Sequence, residues 1–309
     1  MGRKKESRKP VIIGFAVTVI ILFSLFFGLV LIRPGVPVST LPASIPRYSA
    51  LWGTYVPASA QLFGWENYTA IREYNASYPT QYTVLLDILD VNLKLRPAAI
   101  DSVVTVSFAQ PNESIAFAFV NQAAFNNFTS AFSGLSYTAV QAGNSTMYYV
   151  RDYSYGQTQY GWLALIPADR GIAFAVGGAD AKQALLMTLT LKPSDAMINT
   201  MNVRQMLYVA NGTAGHLALG IQNFAGVLPL ANRTLTVIDS NGSQMEIRRV
   251  LEFNSTNTAV AQYGNVKQGY LNAHAFTVFG SALPRYSSFV LATQFEAMSD
   301  LSGAVRLVE

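Results

Sequence analysis

Cysteine is absent from the 309 residues, histidine occurs twice, and only 12% of the chain is charged. The lack of cysteine excludes a disulfide framework and any cysteine-ligated metal site. The two histidines, His216 and His274, stand alone in strand-like stretches, so a histidine-based catalytic or metal cluster has at most these two members. Each reads more simply as a hydrogen-bonded structural side chain. Also missing are Gly-x-Ser-x-Gly, Gly-x-Gly-x-x-Gly, the Gly-Lys-Ser/Thr phosphate loop and His-Glu-x-x-His. No catalytic residue, cofactor site or metal site is assigned, and the sequence reads as that of a non-enzyme.

A basic surface is missing too, despite the formal net charge of +4. Of the 21 Lys and Arg, five lie in residues 1–9 (Arg3, Lys4, Lys5, Arg8, Lys9), against one of the 17 acids, Glu6, which leaves sixteen of each sign beyond. The excess belongs to a short tail and not to a face able to neutralise a run of phosphates, so nucleic acid is not an expected partner.

What the chain does contain begins at Val11. From there to Ile32 no residue is charged, and a helix of that length reaches about 33 Å, enough to cross a bilayer core. A cleavable signal peptide has a shorter apolar region and a small-residue cleavage site, whereas Arg33, Pro34, Gly35 and Val36 follow here. Residues 11–32 therefore read as a transmembrane signal anchor that contacts the lipid bilayer. The cationic residues of segment 1–10 place the amino terminus in the cytoplasm and everything after Arg33 outside, on a single-pass topology. Residues 33–47, with Pro34, Pro37, Pro42 and Pro46, form an expected stalk. Residues 48–309 are the expected extracellular domain, divisible into halves 48–193 and 194–309.

Asparagine followed by x-Ser/Thr occurs at Asn67, Asn75, Asn112, Asn127, Asn144, Asn211, Asn232, Asn241 and Asn254. About three such sequons would arise by chance from the Ser and Thr content, and all nine fall in the part assigned outside the membrane. A glycosylated ectodomain without disulfides points to an archaeal-type cell surface.

The ectodomain pattern is α+β. Val104, Val106 and Phe108 alternate with Thr105 and Ser107, and Ile115, Phe117 and Phe119 alternate with Ala116 and Ala118, as in strands. Phe125, Phe128 and Phe132 then share one helical face, with Asn127 turned away from it. The motif Ile115-Ala116-Phe117-Ala118 returns as Ile172-Ala173-Phe174-Ala175, followed by a helix-like Ala181 to Leu191. Gln61-Leu62-Phe63-Gly64 running into Asn67–Asn75 is an earlier version of the unit. With strands at Met147–Arg151 and Tyr160–Ile166, these repeats predict a ferredoxin-like (split βαβ) arrangement, an antiparallel or mixed sheet with helices on one face.

Further along, Asp195–Val209 reads as a helix with Met197, Met201 and Tyr208 in one stripe. Leu235–Ser240 and Ser243–Phe253 flank Asn241-Gly242, the signal of a two-residue hairpin turn. Alternation along the second strand turns Met245, Ile247, Arg249, Leu251 and Phe253 inward and Glu246, Arg248 and Glu252 toward water. Asp87 and Asp90 are a weak carboxylate pair, since Asp90 with Lys94 also reads as a surface ion pair. Asp239-Ser240-Asn241-Gly242 resembles the start of a calcium loop without its later acidic ligands.

One surface stands out. Tyr148, Tyr149, Tyr153, Tyr155, Tyr160 and Trp162 crowd fifteen residues, with Arg151, Asp152 and Gln157 among them. Such rings stack on sugars or anchor a protein interface, and they also pack across the strands of a hairpin. The functional expectation is a membrane-anchored cell-surface glycoprotein with an interaction or scaffold role, its partners being envelope proteins or glycans. The alternative is an extracytoplasmic ligand-binding module, a transporter accessory or carrier with a pocket lined by Met and Phe.

Overall fold

A computed structural model of the chain describes residues 54–74, 96–133, 137–152, 159–210, 216–223, 231–240, 244–272, 277–279 and 288–298. The predicted anchor and stalk, the pair Asp87 and Asp90, His274, and the sequons at Asn75, Asn211 and Asn241 lie outside these residues. Among the described residues no helix is long and apolar enough to cross a membrane.

The fold is α+β. Twelve strands among the described residues form one sheet in the order β11-β12-β10-β9-β8-β1-β2-β3-β7-β6-β5-β4, every neighbour antiparallel. They are β1 (Leu62–Glu66), β2 (Ile100–Phe108), β3 (Glu113–Val120), β4 (Thr138–Ala142), β5 (Ser145–Asp152) and β6 (Gln159–Ile166). The rest are β7 (Gly171–Val176), β8 (His216–Asn223), β9 (Arg233–Ser240), β10 (Gln244–Glu252), β11 (Thr277–Phe279) and β12 (Phe289–Ala297). Five α-helices are described: α1 (Tyr68–Tyr74), α2 (Gln122–Ser133), α3 (Ala179–Leu189), α4 (Met201–Ala210) and α5 (Thr256–Asn272).

Helices cover both faces, not one as the repeats predicted. Tyr68 and Ile71 of α1 and Phe125, Phe128 and Phe132 of α2 pack on one face, with Val103, Ala118, Leu163 and Phe174. Ala184 and Leu185 of α3 and Val203 and Met206 of α4 pack on the other, with Val104, Phe117, Trp162 and Val237. A strand that is covered on both sides needs apolar groups at successive positions, which is why β7 reads Ile-Ala-Phe-Ala-Val without a polar alternate.

The duplicated motif pairs with its own copy. Ala116 lies opposite Phe174, Phe117 opposite Ala173 and Ala118 opposite Ile172, so each large side chain meets a small one across the ladder. Ile115 and Phe117 then enter one core and Ile172 and Phe174 the other. The connections after these strands are wider than a ferredoxin-like unit allows. Between β3 and β4, which α2 joins, stand β7, β6 and β5; between β7 and β8 stand β3, β2 and β1. A split βαβ with a single intervening strand occurs at β10-α5-β11, where β12 fills the gap. The two sequence halves share the sheet, because β1 pairs β2 on one side and β8 on the other.

Two further expectations change. The helix expected over Asp195–Val209 is broken: Thr200 is extended (φ −70°, ψ 137°) between a short 3-10 turn, Met197–Asn199, and α4. That break resets the helical phase, so Met197 is buried, Met201 is 61% exposed, and Val203, Met206 and Leu207 form the buried stripe instead. On β10 the inward cation is Arg248, and Glu252 is buried with it, because α4 covers the side expected to meet water. The hairpin itself forms, with Ser240 opposite Met245, a longer connection than two residues.

Candidate functional site

The aromatic cluster sits on the β5–β6 ladder. Register places Tyr149 opposite Trp162 and Tyr148 opposite Leu163, and alternation sends the neighbours to opposite faces. Tyr148 is structural: its ring meets Phe132 edge-on at 4.9 Å, and Phe132 stacks on Tyr137 at 5.0 Å. Tyr149, Tyr160 and Trp162 form a ladder on the face of α3. Tyr149 lies 5.1 Å from Trp162 and is stacked on Tyr160 at 5.7 Å with the rings 12° apart. The Trp162 indole N–H donates to the Gly178 carbonyl (3.0 Å), and Lys182 Nζ lies 4.9 Å over the indole ring. Tyr153 and Tyr155 lie outside the described residues.

A gradient of exposure runs along this ladder. Trp162 is buried, Tyr149 is half-buried and Tyr160 is 45% exposed. The cation over the indole fixes the buried end, with Lys182 carried on the first turns of α3. Gly161 between the two outer rings has no room for a side chain, since a Cβ would meet the Ala175 carbonyl at 2.6 Å and the Phe174 ring at 2.9 Å. A rigid, half-exposed ring backed by a second one is a platform for the C–H face of a sugar or for a partner's apolar side chain.

Six sequon asparagines are described. Asn112 in the β2–β3 turn, Asn127 on the outer side of α2, Asn144 in the β4–β5 turn and Asn254 after β10 are exposed. Asn67 and Asn232 are half-buried. Asn67 caps α1, its Oδ1 accepting the Ala70 N–H at 3.1 Å. Asn232 Nδ2 donates to Asn254 Oδ1, so these two acceptors are neighbours in space.

Sequence reasoning missed a buried charge network between α4 and β9–β10. Arg248 grips Glu246 with a fork, Nε–Oε1 2.8 Å and Nη2–Oε2 2.5 Å. Its Nη1 lies 3.2 Å from Asp239 Oδ2 and donates to the Ala210 carbonyl at the end of α4 (3.1 Å). Burial disfavours the charged guanidinium, but Glu246 and Asp239 outweigh that and hold its pKa above the ordinary value. Asp239 is therefore an ion-pair partner of Arg248, and Asn241-Gly242 of the calcium-loop-like stretch lie outside the described residues. Beside it Glu252 accepts from Asn202 of α4 (2.5 Å) and faces Arg233 at 3.4 Å. Only alternation of Glu246, Arg248 and Glu252 was visible in the sequence, and that pattern reads as a wet face until a helix is known to cover it.

Burial raises the Glu252 carboxyl above its ordinary 4.5, and Arg233 and Asn202 offset this only in part. The folded form then binds the proton more tightly than the unfolded chain, so this group's contribution to stability falls as pH rises from about 4.5 through the raised value. Glu252→Gln is expected to flatten that fall. Unfolding midpoints measured at intervals from pH 4 to 7 check it, and an unchanged slope would remove Glu252 as its source.

Among the described residues no group of three or more His, Asp or Glu is placed to hold a metal ion. No protein-family model matches the chain, and no curated protein is significantly similar to it. Its structure is similar to that of TP0453 in crystal form I, with 13% identity, 84% of this chain and 96% of that chain covered, and a TM-score of 0.44. For crystal form IV of TP0453 the identity is 11%, the coverage 82% and 98%, and the TM-score 0.41. A superposition of this quality carries no argument about function.

Proposed function

We propose that the protein is a cell-surface glycoprotein held in the membrane by residues 11–32, with its amino terminus cytoplasmic. Its ectodomain makes non-enzymatic contacts with envelope proteins or glycans. The observation that supports this reading best is the exposure of Asn112, Asn127, Asn144 and Asn254, at two hairpin turns, a helix's outer side and a strand end, where a glycan attaches without disturbing either core. The repeated strand-helix units belong to the same reading, as a ferredoxin-like duplication widened into one sheet. The Tyr149–Tyr160 stack is the contact surface. The carrier alternative needs an apolar cavity lined by Met and Phe, whereas Met147, Met197 and Met206 are buried within one continuous core.

The test is purification of the full chain from detergent-solubilised native membranes, with mass spectrometry of co-purifying proteins, glycans and small molecules. A stoichiometric envelope partner is expected, and Tyr160→Ala should weaken its retention by about 2 kcal/mol, the loss typical of an aromatic anchor. A monomer carrying a lipid or small solute and no partner would overturn the reading in favour of the carrier.

A further inference from the structure

On the face of α1 and α2, the described helices leave the strand ends of β2 and β3 nearest their connecting turn uncovered. The sequence changes character there. On β2 this face runs from Val103, buried beside α1, to Thr105 and Ser107; on β3 it runs from Ala118, buried beside α2, back to Ala116 and Ser114. Both strands thus exchange apolar groups for small or hydroxyl ones as they leave the cover of the helices. Their opposite face does not change: Val104, Val106, Phe108, Ile115 and Phe117 are all buried. The outcome is an open groove of about 460 Å³, in the range of roughly 300–1,000 Å³ usual for small-ligand sites.

The groove has the chemistry of a saccharide site. Thr105 and the Ser107–Ser114 pair, whose Oγ atoms are 2.8 Å apart, supply hydroxyls, and the Gln61 amide supplies both donor and acceptor. Val176, 42% exposed, and the edge of Phe174 supply an apolar floor for a C–H face. Glu113 follows Asn112 in the lining, but its carboxylate turns to the α3 side of the sheet, 3.4 Å from the position a Cβ on Gly177 would take. The wall also carries its own attachment point: Asn112, exposed and first residue of the sequon Asn112-Glu113-Ser114, is part of the lining.

We infer that the groove is the resting place of this chain's own Asn112-linked glycan, whose first sugars lie back across Thr105, Ser107 and Ser114 toward Val176. The inference rests on the glycoprotein reading above. Tethering supplies the affinity, because a glycan joined to the wall is at high effective concentration and polar contacts too weak to capture a free sugar suffice to hold it. Ser114 then has two uses, completing the sequon and flooring the groove.

The chain has no cysteine, so Val176→Cys provides a single thiol at the far end of the groove. The full-length glycoprotein would be labelled with a maleimide, and Asn112 occupancy measured on the same sample by peptide mass spectrometry. A glycan that lies in the groove nine-tenths of the time slows labelling about tenfold, since only the open fraction reacts. Adding Asn112→Gln should therefore raise the rate about tenfold, whereas adding Asn127→Gln, which removes a glycan from α2, should leave it unchanged. Occupied Asn112 with equal rates in both backgrounds overturns the inference and leaves the glycoprotein reading standing. Bare Asn112 with other sequons occupied also overturns the inference, and all sequons bare overturns the reading beneath it.

Discussion

Replacing Arg248 by methionine is expected to destabilise the protein by about 3–5 kcal/mol, the cost of breaking a buried ion pair from one side. The guanidinium lies 3.2 Å from Asp239, which is 1% exposed. Removing it takes the neutralising charge from that carboxylate and from Glu246 beside it, and a donor from the Ala210 carbonyl at the end of α4. The methionine fills most of the volume, so the loss is electrostatic. Denaturant unfolding of the full chain in detergent should show a lower midpoint with an unchanged slope. Adding Asp239→Asn should recover part of the loss, because the buried charge that Arg248 neutralised is then gone. A wild-type midpoint in the single variant would mean that α4 is held by apolar packing alone.

Phe117→Ala should cost a similar amount, about 3–5 kcal/mol, by a different route. Its ring is fully buried on β3, stacked with Phe119 at 6.3 Å and tilted against Tyr55 at 5.5 Å. Deleting it opens a cavity in a face sealed by α3 and loosens Tyr55, whose hydroxyl donates to Asp169 Oδ2 at 2.5 Å. Burial first, and that acidic partner second, hold the Tyr55 phenol far above its ordinary range. Two readouts follow, a lower unfolding midpoint and a Tyr55 that ionises more easily at alkaline pH. Phe117→Leu keeps most of the volume and should cost less than the alanine variant. Equal losses in the two would show that ring stacking, and not volume, is what β3 requires.

How far these sites were legible in the sequence depends on whether a rule of period or a rule of cover was needed. Period alone located β2, β3, β5, β6, β9 and β10 and the Phe125-Phe128-Phe132 stripe, because alternation and helical spacing are local properties. Cover is not local. Nothing near Arg248 states that a helix forty residues earlier will lie on it, so Arg248 and Arg249 exchanged their expected places. The repeated Ile-Ala-Phe-Ala likewise announced a duplication without revealing that its copies would pair and invert. The aromatic cluster is contiguous in sequence, yet a strand divides neighbours, and Tyr148 and Tyr149 serve opposite faces. The groove was hidden for a related reason: Thr105, Ser107 and Ser114 look like ordinary polar alternates until the opposite face proves to be buried along its whole length.

The short strand β1 sets a condition on how the molecule assembles. Gly64 faces Thr105 on one side and Gly220, 156 positions later, on the other. A chain made from its amino terminus completes β2 to β7 while β1 still presents a bare row of backbone donors and acceptors, and only the arrival of β8 closes it. Until then the nascent protein has a sticky central edge, open to pairing with a second chain. The entropy of closing so long a loop makes this step slow relative to the local hairpins. Assembly is thereby ordered in time, the first seven strands forming a platform that must wait, shielded, for the remainder of the sequence to dock.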